Sequence, residues 1–152
     1  MHPKTRKKFK LVILVGVLLI MVTPMSWADP KISVEVKTVL ASSQGNYLDP
    51  QLSQMAAELQ SLFRYTSYRL LSRDRLTLQP RQTGKLSLPG NRNLHITNIG
   101  IQGQRVGLLL KMFKNKNNVF ETNIQLKNRS SIIVGGPKYD VGYLLFNIYT
   151  SY

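Results

Sequence analysis

The stretch Val106–Leu126, VGLLLKMFKNKNNVFETNIQL, decides the fold. Val106, Leu108, Leu110 and Met112 recur at every second position. Phe120, Thr122, Ile124 and Leu126 do the same against Glu121, Asn123 and Gln125. A period of two is the alternation of side chains across a pleated strand. Lys114-Asn115-Lys116-Asn117-Asn118 lies between the two runs and reads as a polar turn. Leu109 and Phe113 fall on the opposite side of the first run, which predicts a strand covered on both faces.

The same pattern extends outward in both directions. Beyond a turn at Lys127-Asn128-Arg129 comes the apolar run Ile132-Ile133-Val134, which Gly135-Gly136-Pro137 is expected to break as a turn with positive φ. A last strand carries Leu144, Phe146 and Ile148 and ends near Tyr152. Upstream, Leu94 and Ile96 share one parity and Ile99 and Ile101 the other, so a bulge is expected near Asn98. Gly100 to Gln104 reads as a hairpin turn. Leu86 and Leu88 sit in a short strand closed by Pro89-Gly90-Asn91. Tyr68, Leu70, Leu76 and Leu78 are placed on one face of a strand, with Arg69, Arg73 and Arg75 on the other. Near the start, Ile32, Val34 and Val36 alternate with Ser33, Glu35 and Lys37, before a loop over Ser42-Ser43-Gln44-Gly45-Asn46.

One segment breaks the period. Asp49 is a good N-cap and Pro50 fits the first helical position, where no amide bond is lost. Leu52, Met55, Ala56, Leu59, Leu62 and Phe63 follow at steps of three and four, which predicts an amphipathic helix running to about Phe63. The expected fold is α+β, mainly β. One amphipathic helix packs on a twisted antiparallel sheet of about seven to eight short strands, or caps an open barrel.

The N-terminal segment has a different character. Lys4, Arg6, Lys7, Lys8 and Lys10 precede an uncharged, mostly aliphatic run from Leu11 to Val22, followed by Pro24 and the small residues Ser26 and Ala28. That is the layout of a secretory signal peptide, cleaved after Ala28. The apolar run of 12 residues falls short of the roughly 20 needed to span a bilayer, which weighs against a retained anchor. Residues 29–152 are then a single domain working in the periplasm or secreted. With no cysteine in the chain, disulfides, thiolate zinc sites and cysteine nucleophiles are excluded, and stability rests on packing and backbone pairing.

The chain carries a net charge of +14, and residues 29–152 keep 16 Lys and Arg against seven Asp and Glu. In an exported protein such a surface points to an envelope protein partner or to an anionic surface of lipid head groups or acidic glycan, rather than to nucleic acid. Catalytic groups are sparse. His95 is the one histidine of residues 29–152, flanked by Leu94 and Ile96, and the seven acidic residues stand singly. No pair has the spacing of an acid–base dyad or a metal cage, and no cofactor is expected. Asn128-Arg129-Ser130 matches a glycosylation sequon, a short pattern that is common by chance.

One run interleaves aromatic and cationic side chains, Arg64-Tyr65-Thr66-Ser67-Tyr68-Arg69, with Arg73 and Arg75 beyond. Arg64, Tyr65, Tyr68, Arg69, Arg73 and Arg75 are candidate binding residues able to stack on a glycan or grip an acidic partner. The structural alternative is that Tyr65 and Tyr68 pack under the end of the helix, with the arginines favoured by its C-terminal dipole.

Leu108-Leu109-Leu110-Lys111, Thr122-Asn123-Ile124-Gln125-Leu126, Ser131-Ile132-Ile133-Val134-Gly135-Gly136 and Leu144-Leu145-Phe146-Asn147-Ile148 succeed one another in an order that resembles the C-terminal β-domain of bacterial secretins, over residues 107–149. Ile32-Ser33-Val34-Glu35-Val36 resembles an early strand of the same domain. The resemblance implies a small exported protein with related strand pairing, acting beside a secretion or pilus apparatus. The functional expectation is therefore a non-enzymatic binding or accessory component of an envelope assembly. The alternatives are a minimal outer-membrane β-barrel of eight strands, and an enzyme acting on envelope polymers through His95, Glu35 and Asp140.

Overall fold

The computed structural model describes residues 30–152, so the signal-peptide reading of residues 1–28 lies outside the described residues. The chain forms β1 (Ile32–Ser42), β2 (Tyr47–Leu48), a 3-10 turn (Pro50–Met55), α1 (Ala56–Leu62), β3 (Ser67–Leu78), β4 (Thr83–Leu88), β5 (Arg92–Gln102), β6 (Arg105–Lys114), β7 (Asn117–Lys127), β8 (Ser130–Tyr139) and β9 (Gly142–Ser151). The protein is mainly β, as the alternating runs require. The expected single sheet is instead two: a five-stranded sheet in the order β2-β3-β1-β9-β8 and a four-stranded sheet in the order β4-β5-β6-β7.

Apart from the two-residue β2, the strands follow one another round a ring. β1 pairs with β3 on one side and with β9 on the other, both antiparallel, and β4 to β7 pair in succession. The ladder is interrupted at the β3–β4 and β7–β8 joins, and the hydrogen bonds made there give the reason. At the first, the Arg81 amide donates to the Asn98 carbonyl (2.7 Å) and the Asn98 amide to the Gln82 carbonyl (3.0 Å), which ties the link to β5 rather than back to β3. At the second, the Tyr152 amide donates to Asn128 Oδ1 (2.9 Å) and the Tyr152 hydroxyl to the Gln104 carbonyl (3.0 Å). The chain end thus bridges the two sheets. On a further seam the buried Arg92 guanidinium donates to the Pro89 (3.2 Å) and Lys138 (3.1 Å) carbonyls, again joining the sheets.

The two sheets face each other across one apolar core. Ile32, Val34 and Val36 of β1 and Leu144, Phe146 and Ile148 of β9 meet Leu94 and Ile96 of β5 and Val106, Leu108, Leu110 and Met112 of β6. Burying such side chains contributes about 1.5–3 kcal/mol each relative to exposure, which makes this core the main source of stability in a chain with no cysteine. Leu109 and Phe113, expected to lie under a second covering layer, are only half-buried on the outer face of the four-stranded sheet. Phe113 shields itself there against the His95 ring, at 4.7 Å between centroids.

Several local expectations hold. β5 carries its bulge between Asn98 and Gly100, which leaves Ile99 unpaired and exposed. The hairpin turns fall at Asn115-Lys116, both with positive φ, and at Gly103-Gln104. Gly135-Gly136-Pro137 is different: β8 runs through it, with a register shift between Gly135 and Lys138, and neither glycine has a positive φ. Gly136 is required for closeness instead, since a Cβ there would come within 2.5 Å of the Phe146 ring.

A bulge in β3 was not legible. Thr38 pairs with Ser72 and Val39 with Leu70, so Leu71 is an extra residue and the parity of β3 changes at that point. Tyr68 and Leu70 therefore face the helix on the outer side of the five-stranded sheet, while Leu76 and Leu78 face the inter-sheet core. Arg69 is separated in the same way from Arg73 and Arg75, which corrects the single face expected for all three.

The helical segment packs on the outer face of the five-stranded sheet, as expected. It begins as a 3-10 turn, where residues three apart eclipse, so Leu52 and Met55 both reach the sheet. Asp49 caps it, its carboxylate accepting from the Gln51 amide at 3.0 Å. The α-helix proper is only seven residues and stops at Leu62, because Phe63 turns extended. Leu62, expected in the apolar stripe, is 58% exposed, while Leu59 is fully buried against Val39, Ala41, Tyr68 and Leu145.

Candidate binding groove

The helix covers only part of the outer face of the five-stranded sheet. Cross-strand pairing arranges that face in rows. Leu70, Val39, Leu145 and Gly135 form one row, which lies under the helix together with Tyr68 and Ala41. Beyond it, Arg73, Lys37, Asn147 and Ile133 form the next, and Arg75, Glu35, Tyr149 and Ser131 the one after. These outer two rows meet Gln54 and Glu58 of the helical segment in an open groove of about 440 Å³. The volume lies within the roughly 300–1,000 Å³ usual for small-molecule sites.

The groove is ordered by one ionic cluster. Glu35 is held by two arginines, with Arg73 Nε at 3.0 Å and Nη2 at 2.9 Å from Oε1, and Arg75 Nη2 at 2.9 Å from Oε2. Burial pushes the Glu35 carboxyl up, but the hydrogen bonds from Arg75 and Arg73 and their charges outweigh it, and the group sits below the ordinary carboxylate value. Glu35 is only 12% exposed, whereas Arg73 and Arg75 remain 56% and 69% exposed, so each guanidinium keeps donors directed to solvent. Lys37 makes no ion pair among the described residues. Three cationic side chains and two carboxylates thus line the groove, with one positive charge in excess.

The six sequence candidates do not form one patch. Arg73 and Arg75 line the groove. Tyr68 is fully buried, and its hydroxyl donates to the carbonyls of Leu59 (3.1 Å) and Phe63 (3.0 Å). Its role is to fasten the end of the helical segment to the sheet, and burial raises its phenol pKa. This corrects its assignment as an accessible contact residue: the β3 bulge turns it under the helix. Tyr65 is half-buried, stacked on Phe63 at 6.5 Å and tilted against Tyr143 at 6.0 Å. Arg64 is exposed just after the helix, and Arg69 lies over the Tyr47 ring at 5.8 Å, on the other face of β3 from Arg73 and Arg75.

Sequence reasoning missed Lys37, Asn147 and Tyr149 as groove residues. The signal was present: each alternates with an inward residue already identified, Lys37 with Val36 and Asn147 and Tyr149 with Phe146 and Ile148. Only the pairing of β1 between β3 and β9 brings them beside the arginines.

His95 lies away from the groove, on the four-stranded sheet. His95 pairs across the four-stranded sheet with Lys85 and Lys111, so its nearest row neighbours are cationic. Burial, then the Lys85 charge, hold its pKa below the ordinary histidine value. Among the described residues no three or more His, Asp or Glu side chains are grouped to hold a metal ion, and no helix is long and apolar enough to cross a membrane. No protein-family model, no curated protein and no solved structure matches the chain.

Proposed function

We propose that the protein is an exported, non-enzymatic binding protein that serves as an accessory component of a bacterial envelope or secretion assembly. The observation that carries this reading is the asymmetry of the five-stranded sheet. Its inner face is apolar and filled by the opposing sheet, while half of its outer face is an open, polar groove with donors of Arg73, Arg75 and Lys37 directed outward. The excess of Lys and Arg over Asp and Glu attracts acidic partners to that surface. The secretory layout of residues 1–28 supports a role outside the cytoplasm, and the resemblance of residues 107–149 to the secretin C-terminal domain supports an envelope apparatus as its setting.

The outer-membrane barrel is the second reading, favoured by the ring of eight strands, all but the six-residue β4 being 10–12 residues long. The distribution of side chains runs against it. A membrane barrel is apolar outside, whereas here the apolar residues point inward and Lys37, Arg73, Arg75, Lys111, Glu121 and Gln125 point outward. Each Lys or Arg on a lipid face costs about 2–4 kcal/mol at the bilayer midplane.

The test is capture from envelope extract, at low and high salt, by the chain expressed with its own N-terminal segment. Specific retention of an envelope protein or glycan supports the binding reading. Retention of nothing, or a protein extractable only with detergent, overturns it.

A further inference from the structure

We propose that the groove on the outer face of the five-stranded sheet binds a short saccharide segment, with an acidic sugar preferred over a neutral one. The inference deepens the binding reading above and rests on it.

The central observation is Asn147. It lies in β9 between Lys37 and Ile133 in its cross-strand row, is only 7% exposed, and lines the groove. Its carboxamide has no hydrogen-bond partner among the described residues, whereas the carboxamides of Gln82, Asn98 and Asn118 each take part in a hydrogen bond. The stem of Asn147 is buried while its amide atoms open onto the groove, where a ligand or solvent group can meet them. A carboxamide offers two donors and an acceptor side by side, the complement of adjacent sugar hydroxyls.

The neighbours of Asn147 fit the same chemistry. Tyr149, two residues on, presents a part-exposed ring on the same face, an apolar platform for the C–H face of a pyranose. Donors and acceptors are mixed: Arg75 and Lys37 donate, Glu58 accepts, and Ser131 and Gln54 do both. A phosphate or sulfate would meet two carboxylates, Glu35 and Glu58, in a site that should hold donors only. A hydrocarbon chain would leave these polar groups unpaired, at a cost of about 1–3 kcal/mol for each one desolvated. A polyol satisfies both kinds of group. The single excess positive charge, with Lys37 outside any ion pair, gives the preference for one carboxylate on the sugar.

The test is titration of the chain, expressed with its own N-terminal segment, with tetragalacturonate, maltotetraose and hexaglutamate, followed by calorimetry. Tetragalacturonate should bind more tightly than maltotetraose, and hexaglutamate more weakly than either. Asn147→Leu and Tyr149→Ala should each weaken saccharide binding by about tenfold. Lys37→Gln should abolish the preference for the acidic sugar while maltotetraose still binds. Tyr149 is part-exposed and belongs to neither apolar cluster, so its substitution should keep the fold and the test survives a misfolded Asn147 variant. Binding of neither saccharide, or of hexaglutamate alone with no dependence on Tyr149, overturns the proposal. The two readings fail separately. Envelope capture that persists in the Tyr149→Ala and Asn147→Leu variants without saccharide binding leaves the accessory role standing and removes this one. Saccharide binding with no envelope capture does the reverse.

Discussion

The outer face of the five-stranded sheet is two surfaces on one backbone. In the covered half, Val39, Ala41, Tyr68, Leu70 and Leu145 lie beneath Leu52, Met55 and Leu59 of the helical segment. In the open half, one row further along the same strands, stand Lys37, Arg73, Asn147, Glu35, Arg75 and Tyr149. Neighbouring rows of the same pleated sheet thus differ completely in chemistry. In β1 and β9 the change is made by side-chain choice alone. In β3 it also takes a structural device, the extra residue Leu71, which turns the strand so that Tyr68 and Leu70 join the covered half and Arg73 and Arg75 the open one. The packed surface and the open polar surface are separated along the strands rather than between domains.

The comparison is broken most severely at the covered half. Leu59→Ala removes the fully buried helix residue and leaves a cavity on the sheet, with an expected loss of about 2–5 kcal/mol in chemical denaturation. An equal loss from Lys37→Ala, in the open half, would contradict the division. Tyr68→Phe comes next. It leaves the Leu59 and Phe63 carbonyls without their shared donor and should cost about 1–3 kcal/mol while leaving envelope capture unchanged. Loss of capture at full stability would restore Tyr68 as a contact residue.

Arg73→Gln with Arg75→Gln tests the open half. The arginines are more than half exposed but Glu35 is only 12% exposed, so losing both leaves a largely buried carboxylate and should cost about 1–3 kcal/mol, while capture should fall steeply. The smallest effect is a pH dependence. The Glu35 carboxyl lies below its ordinary value of 4.5 in the folded chain, so its contribution is complete above that pH and is lost as pH falls through the folded value. The stability difference between the protein and its Glu35→Gln variant should therefore shrink below about pH 4.5. A difference that grows on acidification would reverse the sign assigned to the cluster.

Much of this arrangement was legible in the sequence. Alternation identified nearly every strand, because one buried face forces a period of two, and the slip from Ile96 to Ile99 revealed the β5 bulge. The β3 bulge was hidden because the residues around it are apolar on both sides of the shift: Leu70 and Leu71 read equally well in either register. The split into two sheets was hidden because it depends on backbone bonds at Arg81, Gln82 and Asn98, which no side-chain pattern records. The groove was half legible. Arg73 and Arg75 stood out as charges, but Glu35 and Lys37 reach them only through the pairing of β1 with β3, and Asn147 and Tyr149 only through the pairing of the first strand with the last, across more than a hundred residues of sequence.

The most direct test of the central claim compares two charge-reversed variants in capture from envelope extract at moderate salt. One carries Lys37→Glu with Arg75→Glu in the open half, and the other Arg64→Glu with Arg69→Glu outside it. The account predicts that the first loses its envelope ligand while the second retains it, with both folded by circular dichroism. Retention by the first and loss by the second would place recognition at the end of the helix and contradict the assignment of binding to the groove.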